Sequence, residues 1–468
     1  MLTSTIECMN WRKPIITGLL SLTRDHTLSH LRTMLAMEYR PPAEIASYQT
    51  DCLRQIIIHA YHNVPYYSHV LKDAGVILSN DKIDLSRYSY LPVLTKDIIK
   101  NEFANLQSRD SANRHPYPNS SGGSSGTPLK ITQDRAYHEW NVANSIYYKT
   151  FAKQAIGQSE LRLWGSERDL EIGHEKISTR LRNWLYHRRE INAFRMTPTD
   201  MVKYAADWNC FRPRWIESYV DAMYEFANFF EVNHISMHTP VGILTSAGTL
   251  YPFMKEKIEQ VFGCPVINRY GSREVGGIAC SCPGGQGLHL SAWNSFVEIL
   301  NDDLRPIAAG QMGRVYVTTL HNYSMPLLRY DIGDLAEYAL SGCTCGRGTP
   351  LLAKVHGREM TVFRTRDKTI VPAEFFIHYI GVVFNQGSIN KFQVVQKDYD
   401  QICINVVTKN QASVTALAPD VEHTIRRAMG SDCKVDWNFV DDIPRLSSGK
   451  YLYVVSELKP PDQTTKSN

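Results

Sequence analysis

The sequence predicts an α/β protein. A large N-terminal domain of parallel-rich sheets with covering helices and a β-rich subdomain precedes a small α+β C-terminal domain. Three observations carry this. First, "VGILTSAGTL", "YPFMKEKIEQVFG" and "PVINRYGSREVGG" run strand, helix, strand, the pattern of parallel strands joined by a crossover. Second, from about residue 286 the chain turns to short strands, "LHLSAW", "FVEIL", "GRVYVTTL" and "DLAEYAL". Third, the composition shifts again after "VHGREM". There "KFQVVQKDYDQICINVVTK", a helical segment near 419–429 and "KVDWNFVDDI" make a compact unit. The boundary falls between residues 1–357 and 358–468.

The elements follow in order. Residues 44–75 read as helical, interrupted at Pro65. A turn at Pro92 leads to Thr95, which caps a helix with apolar Ile98, Ile99 and Phe103. "LKIT" is a short strand, and "RAYHEWNVANSIYYKTFAKQAI" is a long helix with an aromatic face. Residues 215–233 read as another helix. The helix from Tyr251 stops at Gly263, and the last residues, "PPDQTTKSN", fray.

The chain has 468 residues, 43% hydrophobic and 21% charged, enough to bury sizeable cores. Its formal charge of +4 is spread without a basic stripe, which argues against nucleic acid as a partner. No apolar run reaches membrane-span length, and "IITGLLSL" is too short and lacks a cleavage pattern. A cytoplasmic location is the expectation.

"NSSGGSSGTPLK", residues 119–130, raises the first functional question. Glycines free backbone N–H groups to bind anions, and Ser and Thr hydroxyls add donors. Ser121, Gly122, Gly123, Ser124, Ser125, Gly126 and Thr127 could so wrap a triphosphate, with Pro128 ending the loop. The same composition would serve as a flexible linker. It is not a Walker A motif, because no Lys-Ser/Thr pair ends it.

Other segments extend that reading. "SGGSSGTP", "RYGSREVGG", "LLRYDIGD", "VHGRE" and "PRLSSGKYLYVV" occur in this order. The set resembles the adenylate-forming superfamily of acyl-CoA synthetases, adenylation domains and luciferases. Within it the chain is most similar to the phenylacetate–CoA ligase branch and its capsule-biosynthesis relatives, as "AYHNVPYYSHVLKDAG", "LPVLTK" and "INAFRMTPTD" also suggest. The resemblance implies an ATP-dependent, AMP-forming ligase that activates a carboxylic acid, releases pyrophosphate and passes the acyl group to a nucleophile. Residues 121–127 would then hold phosphates. Tyr270 would flank adenine, with Gly271, Ser272, Arg273, Ala247 and Gly248 around the nucleotide. Glu274 would accompany Mg2+, since magnesium combines few carboxylates with phosphate oxygens. Asp334 would accept both ribose hydroxyls. Arg358 would mark the hinge to a mobile small domain carrying Lys450, which reaches the acid carboxylate and the α-phosphate. Each residue also has a plainer reading, as a core tyrosine, a turn acid or a surface lysine.

Cys280, Cys282, His289, Cys343 and Cys345 form a second constellation. Soft thiolates with one imidazole suit structural zinc, for which four ligands suffice. The resemblance favours Cys282, His289, Cys343 and Cys345, with Cys280 as the alternative ligand. Free thiols beside a core histidine are the other reading.

The chain departs from the family pattern at Gly248, Arg273 and Thr361, where relatives usually carry Glu, Thr and Asp; Lys450 and Glu274 are retained. Trp164, Tyr219, Phe194 and Ser246 are candidate residues of the acid pocket, and aromatic walls suit an aryl or unsaturated acid. Coenzyme A is the expected acceptor. An amine or a carrier protein stays open, as do a homodimer and a non-catalytic nucleotide-binding role.

Overall fold

The computed structural model describes residues 10–78, 82–120, 129–164, 177–192, 197–358, 363–367, 370–371, 375–376, 379–380, 388–444 and 451–458. The chain divides into two compact units. One comprises Met1–Ile332 and Ala336–Val355, the other Gly333–Leu335 and His356–Asn468.

In the first unit β1 (Tyr117–Ser120) and β2 (Lys130–Gln133) form an antiparallel hairpin. One large sheet then takes β3 (Glu160–Trp164), β4 (Arg188–Asn192), β5 (Trp215–Tyr219), β6 (Gly242–Ser246) and β7 (Val266–Ser272). It continues through β8 (Gly276–Ser281), β9 (Leu288–Leu290), β10 (Ser295–Leu300), β11 (Met312–Thr319), β12 (Tyr330–Tyr338) and β13 (Leu351–Arg358). Their order is β10-β11-β12-β13-β9-β8-β7-β6-β5-β3-β4. The neighbours β4-β3-β5-β6-β7 are parallel. From β7 onward the pairs β7–β8, β8–β9 and β9–β13 are antiparallel. The parallel and antiparallel halves therefore meet at β7–β8, where the chain turns through "GSREVGG".

Alternation in the parallel strands sets the layers. Leu161, Leu163, Ile216, Ile243 and Val266 point into a core with helices Pro198–Phe211, Val220–Val232 and Pro252–Phe262. The opposite face meets the helix Arg135–Thr150, whose Trp140, Ala143, Tyr147 and Tyr148 pack with Trp215, Leu244 and Ile267. That helix begins at Asp134, fully buried, whose carboxylate accepts from Tyr137 N at one oxygen. The other oxygen accepts from Tyr323 N and Ser324 N. One N-cap so ties helix and loop together.

Several expectations hold in detail. Pro65 starts the helix Pro65–Asp73 directly after Pro42–Asn63, with Val64 extended between them. Thr95 caps Lys96–Asn101 through a bond from Ile98 N; Phe103 lies beyond that helix end. Gly263 ends its helix at φ +65°, where a side chain would be strained. Residues 215–219 correct the reading of a single helix over 215–233. "WIESY" is a central parallel strand, and the helix starts only at Val220. A fully buried strand shows no clear polar alternation, so it merges with the apolar helix that follows.

The second unit pairs β14 (Phe363–Arg364) with β15 (Ile370–Val371). It then builds a sheet of β16 (Lys391–Asp398), β17 (Gln401–Val407), β18 (Lys434–Phe439) and β19 (Val454–Ser456), in the order β18-β17-β16-β19. The helix Gln411–Met429 makes the crossover between parallel β17 and β18, burying Val414, Val421 and Ile425. It begins eight residues earlier than the sequence suggested, at the Asn410 cap.

His30 and His321 stack on opposite faces of Trp140, with centroids 4.1 and 4.0 Å away. His321 Nε2–H donates to Trp293 O at 2.7 Å. Burial pushes His321 down to about 3 and His30 down to about 4, the latter against the attraction of Glu139. The unfolded chain, with histidine near 6.5, therefore binds more protons between about pH 3 and 6.5. Stability falls as pH drops through that window. The urea midpoint of unfolding at pH 5 is expected to lie below that at pH 7.5, with a smaller difference in His321→Gln. An unchanged difference in that variant would show that other groups set the acid limit.

Candidate functional site

The Gly/Ser stretch 121–128 lies outside the described residues, but both of its flanks are placed. Ser120 pairs with Lys130 and Asn119 with Ile131, so the stretch bridges the two strands of one hairpin. It is not a joint between the two units, because both flanks belong to the first. The base of the hairpin is hydrogen-bonded to the turn after β7. Gln133 Nε2 donates to Arg273 O at 2.8 Å, and Asn119 Nδ2 to Arg273 O at 3.3 Å. Asn119 and Gln133 also bond each other at 2.9 Å, and Tyr137 Oη–H donates to Glu274 O. The roots of the Gly/Ser stretch are thus fixed beside Arg273 and Glu274. Sequence reasoning passed over Asn119 and Gln133, whose amides carry this connection.

Around that turn, Tyr270, Gly271 and Ser272 close β7, with Glu274 only 3% exposed. Gly276, at φ +76°, brings its backbone against Asn141, and a Cβ there would lie 1.8 Å from Asn141 Oδ1. A side chain there would be strained and would press on Asn141, so the first glycine of the motif's closing "GG" is a packing requirement. Ser246, 7% exposed, donates to Arg269 O at 3.2 Å at the end of β6. Ala247 follows at φ +65° and Gly248 lies against Val220. The next strand in the row, β5, ends in Tyr219, which is in register with Ser246. Its ring stacks on Trp164 of β3, with centroids 4.3 Å apart. Trp164, Tyr219, Ser246, Ala247 and Tyr270 therefore line the carboxyl ends of adjacent parallel strands, the edge where open α/β sheets hold ligands.

Asp334 lies on β12 and is 9% exposed. Arg358 is the last residue of β13. Phe194, Thr361 and Lys450 lie outside the described residues.

The second constellation is compact. The ligand atoms of Cys282, His289, Cys343 and Cys345 all lie within 4.8 Å of one another. Cys282 Sγ and Cys343 Sγ are 3.5 Å apart, and Cys345 Sγ lies 3.3 Å from His289 Nε2. Ligand atoms around tetrahedral zinc stand about 3.6–3.8 Å apart, so the four residues fit the metal with little movement. His289 Nδ1 lies 3.2 Å from Thr349 Oγ1, an interaction that fixes the ring and leaves Nε2 facing the thiols. Burial raises the Cys282 thiol to about 11. Burial also acts to raise Cys345, but hydrogen bonds from Arg347, Cys343 and Cys282 outweigh it and hold the thiol below its usual range. Cys280 is not in this group; it is buried in β8, in register with His289 and Arg269, with Sγ toward Ser281 O. The cluster joins the segment after β8 to the loop before β13. Arg347 secures that loop to the end of the helix Thr27–Met37 by an ion pair with Glu38 at 2.8 Å, and to the end of the helix Arg135–Thr150 by lying over Phe151.

No helix among the described residues is long and apolar enough to cross a membrane.

The model of the CapK C-terminal domain matches residues 363–457. Protein CapK of Staphylococcus aureus is 24% identical over 407 residues, covering 85% of this chain and 86% of that protein. Phenylacetate-coenzyme A ligase of Thermus thermophilus is 26% identical over 224 residues, 43% of this chain and 50% of that enzyme. Among solved structures, 2-hydroxyisobutyryl-CoA ligase in the postadenylation state with 2-HIB-AMP superposes with a TM-score of 0.71 at 16% identity. It covers 90% of this chain and 91% of that one. The motif segments carried by β7–β8, β12 and β13 of one sheet, together with these relatives, agree with a resemblance to the adenylate-forming superfamily, in its phenylacetate–CoA ligase-like branch.

Proposed function

We propose that the protein activates a carboxylic acid with ATP, forming an acyl-adenylate and releasing pyrophosphate, and then transfers the acyl group to a thiol, coenzyme A being the first candidate. The observation that carries this reading is the hydrogen-bonded junction of the β1–β2 hairpin with the turn at Arg273 and Glu274. The strands that flank the Gly/Ser stretch are thereby bonded to the turn that carries Glu274, which supports reading the two as parts of one site. In this reading residues 121–127 hold the phosphates through backbone N–H groups and hydroxyls. The Glu274 carboxylate shares Mg2+ with phosphate oxygens. Tyr270 flanks adenine, Asp334 accepts the ribose hydroxyls, and Lys450 meets the negative charge that builds on the α-phosphate. Zinc, held by Cys282, His289, Cys343 and Cys345, would be structural, because four protein ligands leave no open position for substrate.

The test is an acid panel with ATP and Mg2+, scored for pyrophosphate and, by mass, for acyl-adenylate. At least one aryl or unsaturated acid is expected to give both; no acid-dependent pyrophosphate from any acid would leave a nucleotide-binding role instead. Adding coenzyme A, an amine or a phosphopantetheinylated carrier then identifies the acceptor from the product mass. Asp334→Ala is expected to raise the KM for ATP about tenfold or more, by loss of charge-assisted hydrogen bonds. An unchanged KM would remove Asp334 from the ribose site.

A further inference from the structure

The sheet face beneath the helix Arg135–Thr150 carries charge where its opposite face is apolar. Arg162 on β3 is in register with Glu217 on β5 and donates Nε and Nη2 to Glu217 Oε2 at 3.0 and 2.8 Å. From β7, Arg269 Nη1 reaches Glu217 Oε1 at 2.8 Å. Glu160 in turn holds Lys149 at 2.7 Å, Arg162 at 3.1 Å and Arg188 at 3.3 Å. Among the described residues, four cationic side chains thus share two carboxylates that are both almost fully buried. Even with Lys149 set aside, three guanidiniums face two buried carboxylates. Glu190, in register with Arg162 and exposed, is a third, solvent-facing carboxylate that also attracts the Arg162 guanidinium.

This surplus sits at the pocket edge. Arg162 precedes Trp164 by two residues on the same side of β3, and the Arg269 guanidinium lies 5.9 Å from the Trp164 ring centroid. Arg269 Nε is 3.4 Å from Ser246 Oγ. Burial disfavours Glu217 as an anion, but Arg162, Arg269 and Lys149 hold it well below the usual carboxylate range, so both of its oxygens are committed. A half-buried cationic surplus costs free energy unless an anion completes it. A guanidinium fork offers paired donors for an oxyanion.

We propose that Arg269 and Arg162, set by Glu217, form a subsite for a second anionic group on the substrate. The acid activated here would then carry, besides the carboxyl that is adenylated, a remote oxyanion such as a second carboxylate. The inference rests on the acid-activating reading and narrows its substrate class.

The experiment compares matched acids in the pyrophosphate-release assay: benzoate with terephthalate, and crotonate with fumarate. The diacid is expected to exceed its monoacid partner at least tenfold in kcat/KM. In Arg269→Met that ratio should fall at least tenfold, while Lys149, Arg162 and Glu160 still compensate one another and Glu217. Monoacids equal to or better than the diacids in the wild-type protein would overturn the subsite and leave acid activation standing, with the network a structural one. A ratio untouched by Arg269→Met would likewise overturn it. Pyrophosphate release with none of the four acids, nor with any acid of the wider panel, would remove the acid-activating reading itself.

Discussion

Lys450→Ala is expected to slow acyl-adenylate formation about 10²–10³-fold, as loss of one charge-stabilising donor commonly does, while ATP binding largely survives. Lys450 ends the string "PRLSSGK", and its ammonium is a point charge on a flexible stem, suited to charge that shifts during the reaction. Its contribution belongs to the transition state more than to the bound nucleotide, so the loss should fall on kcat and spare nucleotide affinity. The family resemblance implies a role for this lysine in the first half-reaction. Supplying synthetic acyl-adenylate with the acceptor therefore separates the two steps, and transfer should be slowed much less. Equal loss in both would remove Lys450 from the first step.

The second large effect concerns the cysteine cluster. Zinc is expected to copurify at about one per chain, read by elemental analysis. Cys343→Ser with Cys345→Ser should remove it and destabilise the protein by about 4 kcal/mol or more, as loss of a structural metal does. Activity per folded molecule should change less than thermal stability. Cys280→Ala is the control and should keep its zinc, because Cys280 lies outside the group of four ligand atoms. Metal-free wild-type protein whose Cys282, Cys343 and Cys345 all react with a thiol reagent would show a thiol cluster and no metal centre.

How legible this protein was in its sequence depended on the kind of signal. Punctuated elements read well: Pro65, the Thr95 cap and Gly263 act through local backbone chemistry that a short window contains. The metal candidates read well too, since thiols and imidazole are rare and the C-x-C spacing stands out. The structure gathers the four that the resemblance favoured and leaves Cys280 aside. The strand Trp215–Tyr219 was lost because a buried strand and a buried helix share an apolar pattern. The strands Glu160–Trp164 and Arg188–Asn192 were missed for a different reason. Glu160, Arg162 and Arg188 fill one covered face while Leu161, Leu163 and Ile191 fill the other, so the short segments resemble polar surface pieces. Their burial is possible only because the partners come from distant segments, and no local window holds both members of a pair. A charge in the middle of an otherwise strand-like "ELRLW" was the one available signal.

The central claim is reversible formation of an acyl-adenylate, and isotope exchange between pyrophosphate and ATP tests it most directly. Exchange requires the first half-reaction alone and no acceptor. Label from pyrophosphate should enter ATP only when acid and Mg2+ are both present, and Glu274→Gln should suppress it strongly. Exchange that runs without acid, or fails to appear with every acid that gives pyrophosphate release, would contradict the adenylate mechanism.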